Sequence, residues 1–129
     1  MTHPTAASEI LAEAAPRLAE AATQSLYDEQ PQLMSMGERG RAHTRQDFEH
    51  HFMALADLDP ARFAEYVDYC EGLFEARGFP LRWLSDAWRH MGEVVEREMP
   101  AEVWRPAQAI LQGVGAGAKP PRTGDSSRT

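Results

Sequence analysis

Asp59-Pro60-Ala61-Arg62-Phe63-Ala64-Glu65-Tyr66-Val67-Asp68-Tyr69-Cys70-Glu71-Gly72-Leu73-Phe74-Glu75-Ala76-Arg77-Gly78 carries its own start and stop signals. The Asp59 carboxylate can accept from the free N–H groups of a first helical turn, and Pro60 suits the next position because it has no N–H to leave unpaired. Gly78 is the residue type that closes a helix in the left-handed conformation. Between them Phe63, Tyr66, Val67, Cys70, Leu73 and Phe74 recur at three- and four-residue steps, a spacing that predicts a helix with these side chains on one face.

The same grammar extends in both directions. Upstream, Asp47-Phe48-Glu49-His50-His51-Phe52-Met53-Ala54-Leu55-Ala56-Asp57-Leu58 sets Phe48, His51, Phe52, Leu55 and Leu58 on one stripe and turns His50 to the polar side. Asp47 stands one turn before His51, where a carboxylate can accept from the imidazole and fix its tautomer. This helix is expected to start near Thr44, with Thr44 and Asp47 as a capping-box variant, and to run to about Asp57. Residues 30–43 are less regular: Pro31 opens a short helix through Leu33, Met34 and Met36, which Gly37 and Gly40 loosen. Residues 6–28 place Ile10, Leu11, Ala14, Leu18, Ala21, Ala22 and Leu26 at helical spacing, with Pro16 expected to kink or split the segment.

Downstream, Phe79-Pro80 opens a helix with the seam Leu81, Leu84, Trp88, Met91 and Val95, widened by Trp83, Ala87 and Val94. His90 falls at the edge of that face and reads as a surface histidine. Pro100 ends this helix, and residues 101–111 form a last amphipathic piece holding Val103, Trp104, Ala107, Ile110 and Leu111, which Pro106 bends or whose start it postpones. No stretch alternates with a period of two, so the class is all-α: a four- to five-helix, mostly antiparallel bundle with short Pro- and Gly-marked connections. Residues 1–112 form one domain, and residues 113–129, rich in Gly, Ala, Pro and Ser, read as a disordered tail.

Composition narrows the function. Forty-three per cent hydrophobic and 26% charged residues fit a soluble globular chain, and no apolar run approaches the length of a membrane span. Thirteen basic against twenty acidic side chains give a net charge of −7, which repels nucleic-acid phosphate. The first residues lack the basic start and apolar stretch of a secretory signal, and the expected location is the cytoplasm. The lone cysteine, Cys70, excludes an intramolecular disulfide and, on the inward seam of its helix, reads as a small hydrophobe. His50 and His51 diverge by about 100° on a helix and do not share a metal, and no metalloprotease, di-iron, nucleophile-elbow or phosphate-loop motif is present.

What remains is a pocket between helices. His51, oriented by Asp47, with Phe52, Tyr66, Tyr69, Trp83, Trp88 and Met91, is the candidate lining, and an aromatic cavity with one histidine suits a flat macrocycle: a tetrapyrrole such as haem, a bilin or cobalamin. The expected function is a non-enzymatic sensory or regulatory bundle holding such a cofactor beside His51. The competing expectation is a ligand-free interaction module that forms a homodimer or docks a signalling protein through an apolar face containing Trp104, Ile110 and Leu111.

A resemblance bears on the first expectation. Asp47 and His51, Ala54-Leu55, Phe63 with Tyr66-Val67, and Arg77-Gly78 together resemble a pattern in small helical domains of bacterial sensor and regulator proteins, over roughly half of the chain. Ala54-Leu55 through Asp59, the turn at Gly78 and Met91-Gly92-Glu93 are similar to the helical cap that precedes cobalamin-binding domains. After Gly92-Glu93 the chain reads Val94-Val95-Glu96-Arg97-Glu98-Met99-Pro100, without the Trp and Glu-His features of those caps. The resemblance therefore implies a sensor-type helical bundle.

Overall fold

The computed structural model describes residues 6–115, and every regular element in them is helical. The order is α1 (Ala6–Glu29), a 3₁₀ turn (Pro31–Met36), α2 (Gly37–Leu55), α3 (Pro60–Arg77), α4 (Arg82–Glu98) and α5 (Ala101–Gly115). Helix α1 packs chiefly against α2 and α4, and α4 against α5, which makes a bundle.

The punctuation works where the sequence marks it most clearly. The Asp59 side chain accepts from the backbone N–H of Ala61 at 3.0 Å and of Arg62 at 3.2 Å, Pro60 occupies the first turn, and Gly78 closes α3 at φ 73°. Capping of this kind contributes about 1 kcal/mol to a helix. Pro100 separates α4 from α5 as expected, while α5 runs on to Gly115, three residues beyond the expected domain end. The remaining residues of the expected tail lie outside the described ones.

Three boundaries differ from expectation. Helix α1 is not split at Pro16; the proline lies on its exposed face, while Leu11, Ala15, Leu18, Ala19 and Ala22 are fully buried on both sides of it. Pro106 is likewise exposed and internal to α5. Helix α2 begins at Gly37 rather than Thr44: Gly37 takes the turn at φ 76°, and Gly40 continues the helix because its missing side chain leaves room for Met36. The Thr44 hydroxyl, instead of capping, donates to the carbonyl of Gly40 at 3.1 Å.

The core is built by all five helices, with Leu11, Phe52, Leu55, Met91, Val94, Val95 and Val103 removed from solvent. Each such side chain contributes about 1.5–3 kcal/mol by leaving water. Helix α4 lies close to α5 at Gly92, where any side chain would collide with Gln108, whose amide donates to the Gly92 carbonyl at 3.1 Å and to the Glu96 carboxylate at 3.2 Å. Ile110 and Leu111 are buried and Trp104 is half-buried, so the apolar face of α5 expected to be spare is used within the bundle. The uncovered face belongs to α3 instead: Phe63, Val67 and Cys70 are its buried residues, and Leu73, expected on the same face, is 36% exposed.

Candidate functional site

Helix α2 carries His51 into the core, where Phe48, Tyr66 and Trp88 close around its ring. The closest is Trp88, edge-on at 4.9 Å between centroids, and Trp88 in turn meets Phe63 at 5.4 Å. The hydrogen-bond partner of His51 is Tyr66, whose hydroxyl lies 2.7 Å from Nδ1, and not Asp47. Tyr66 wins because it reaches across from α3 into the same apolar layer, while Asp47 stays on the exposed side of α2. Crowding by the chain raises the Asp47 carboxyl, against the pull of His50, His43 and Arg77.

Burial, aided by the charge of His50, holds the His51 imidazole down to about 4, so it is neutral at physiological pH. Burial likewise pushes the Tyr66 phenol above its ordinary range and raises the Cys70 thiol, which hydrogen-bonds Tyr66 from one turn further along α3. Phe52, Met91 and Trp88 join His51 in this layer, but Tyr69 and Trp83 do not: they are 64% and 48% exposed. The pocket lining expected from the sequence therefore divides into a filled core cluster and two outward rings.

The sequence reading passed over a second histidine centre. His90 is 2% exposed, not a surface residue, with Nδ1 at 2.8 Å from the Ser25 hydroxyl and Nε2 at 2.9 Å from a Glu29 carboxylate oxygen. A carboxylate only accepts, so Nε2 carries a proton toward Glu29, and in the neutral ring Nδ1 accepts from Ser25. Arg89 grips both oxygens of Glu29 at 3.0 and 2.9 Å and also reaches Asp86 at 3.3 Å. These bonds, Arg89 first and His90 second, hold the Glu29 carboxyl down to about 2. The available signal was Ser25 and Glu29 one turn apart on α1, facing Asp86, Arg89 and His90 on α4. Beside this cluster an open groove of about 450 Å³ runs between α4 and α5, lined by Asp86, Trp88, Arg89, Glu93, Gln108 and Leu111 among others, and His51 is not in its wall.

The third feature is a corner of exposed rings. Phe74, Phe79 and Trp83 stack around the α3–α4 turn with centroids 5.4–6.5 Å apart. Phe79 is 42% exposed and Leu81 40%. With Tyr69, Leu73 and Trp83 they make five of the nine large hydrophobic side chains exposed among the described residues, all within positions 69–83. Among the described residues no three His, Cys, Asp or Glu side chains converge as a metal site, and no helix is long and apolar enough to cross a membrane.

Fold and sites together define an all-α domain with two histidine-centred buried networks and one outward apolar corner. Comparison of the chain with protein-family models, with curated proteins and with solved structures returned no match.

Proposed function

We propose that the protein is a non-enzymatic regulatory helical module that works by binding another protein surface through the corner formed by Leu73, Phe79, Leu81 and Trp83. The supporting observation is the concentration of exposed apolar side chains there, five of the nine large ones exposed among the described residues. Scattered apolar residues on a surface need no explanation; a contiguous ring cluster next to a half-covered helix does, because it costs solubility unless something covers it. Aromatic rings supply large contact area for little lost side-chain freedom, which suits them to recognition.

The test places a photo-crosslinking amino acid at Leu81 and, as control, at exposed Glu13 on α1, in cells making the protein. Protein adducts are expected from position 81 and not from position 13. Absence of adducts at 81 would overturn the reading.

A second reading, a tetrapyrrole held beside His51, draws on one observation: Tyr66 fixes Nδ1 at 2.7 Å, which leaves Nε2 as the nitrogen for a metal. Binding there requires Trp88 and Phe48, which fill the space around the ring, to swing away. Spectra with haem, biliverdin and cobalamin for the wild type and His51→Ala test it, and no shifted band with any of them removes it.

A further inference from the structure

We propose that the groove between α4 and α5 binds a small organic amine that carries a carbonyl acceptor beside its ammonium group and an aliphatic tail. The site stands whether or not the corner at Leu81 binds a protein. At about 450 Å³ the groove falls within the roughly 300–1,000 Å³ of small-molecule sites.

One donor in the groove wall has nothing to donate to. Trp88 is 3% exposed, and a buried indole ordinarily gives its N–H to an acceptor. Among the described residues the Trp88 N–H has none. The ring packs against His51 and Phe63 on the core side and also forms part of the groove wall. Among the described residues the Tyr27 hydroxyl is the one side-chain polar atom both unpartnered and fully enclosed. The Trp88 nitrogen therefore keeps an opening, and the opening that Trp88 lines is the groove. An indole only donates, so whatever answers it must accept.

The other side of the groove lacks a cation. Trp88 and Glu93 stand about 140° apart around the α4 axis, with Ser85 and Arg89 between them. Arg89 spends its guanidinium on both oxygens of Glu29 and on Asp86, at 2.9–3.3 Å. Glu93 makes no hydrogen bond among the described residues: its oxygens stop 3.8 Å from Arg89 and 3.9 Å from His90 Nδ1, which accepts from Ser25. Asp86 and Glu93 thus face the groove against one guanidinium that is already engaged.

The two needs together select the ligand. An anion would meet two carboxylates. A metal ion would find no third ligand among the described residues and would leave the indole N–H unanswered. A cation with an adjacent acceptor satisfies both sides at once, and the Trp88 ring and Leu111 give its tail an apolar surface.

L-Leucinamide supplies all three groups and is the probe. At pH 7, below the roughly 7.7–8.0 of an α-amino group, it is mostly the cation. In ¹H–¹⁵N spectra of the full chain, millimolar leucinamide should move the Trp88 indole signal saturably; Trp83→Phe and Trp104→Phe assign the other two indoles. Glu93→Gln changes an exposed position, so its circular dichroism spectrum should match the wild type while binding weakens about tenfold. N-Acetyl-leucinamide, which has no charge, and isopentylamine, which has no carbonyl, should each bind the wild type about tenfold more weakly than leucinamide. No saturable shift of the Trp88 signal, or undiminished affinity in any one of these three comparisons, overturns the proposal.

Discussion

Helices α3 and α4 are almost the same length, 18 and 17 residues, and both are amphipathic in sequence, yet α4 buries eight residues and α3 buries three. The difference lies in what packs on them. Helix α4 is flanked by α1 and α5 and bolted to α1 through Glu29, Arg89 and His90; α3 touches the bundle along its first half and leaves Leu73 and Phe74 at the margin. Helical periodicity establishes that a helix has an apolar face, and says nothing about whether the same chain covers it. On α3 part of that face stays exposed.

The contrast is sharpest under truncation. Trp88→Ala on α4 removes a ring that contacts both His51 and Phe63, and should cost about 3–5 kcal/mol. Leu73→Ala, measured by urea denaturation on monomeric protein, should cost less than about 1 kcal/mol. Equal losses would mean that α3 is as deeply packed as α4.

The two histidines separate next. His90→Leu leaves the Ser25 hydroxyl without its partner, while Arg89 still holds both oxygens of Glu29, and should cost about 1 kcal/mol at pH 7. His51 acts through pH. Its folded-state value of about 4 lies below the 6.5 of an unconstrained imidazole, so between those values the unfolded chain takes up a proton that the native state refuses. Stability is therefore fully present above pH 6.5 and is lost as the pH falls toward 4, by up to about 3 kcal/mol. Glu29, held at about 2 against an ordinary 4.5, adds a further loss only below pH 4.5. Denaturation midpoints at pH 7 and pH 4.5 for the wild type and His51→Gln check the sign, since the variant should lose most of the upper window.

Much of this was legible in the chain. Asp59, Pro60, Gly78 and Pro100 state their roles locally, because capping and φ preferences act within a turn. Pro16 does not split α1 and Pro106 does not postpone α5, because a proline on the exposed side of a well-buried helix costs less than the packing it would disrupt. The partner of His51 was misread for a related reason: Asp47 is close in sequence, but Tyr66, fifteen residues on, is close in the apolar layer. His90 was missed because Ser25 and Glu29 lie 65 and 61 residues away, and no local spacing reports a contact between α1 and α4.

The smallest expected effect is a gain. Gly72→Ala on α3 replaces a poor helix former where there is open space for a methyl group, and should raise monomer stability by about 0.5–1 kcal/mol in thermal melts. The corresponding change on α4, Gly92→Ala, displaces the end of the Gln108 side chain from its hydrogen bonds to the Gly92 carbonyl and to Glu96, so its gain should be smaller.

The bolt between Glu29 and His90 also sets an order of events during synthesis. Helix α1 is made first, and one flank can dock as soon as α2 exists, through neighbours in sequence. Its other flank waits until position 90 has been made, some sixty residues after Glu29. Closing so long a loop is slow compared with forming the local helix pair. Through that interval Leu11, Leu18 and Ala22 stand partly open to water, so a nascent chain stalled before α4 is the form of this protein most prone to stick to its neighbours.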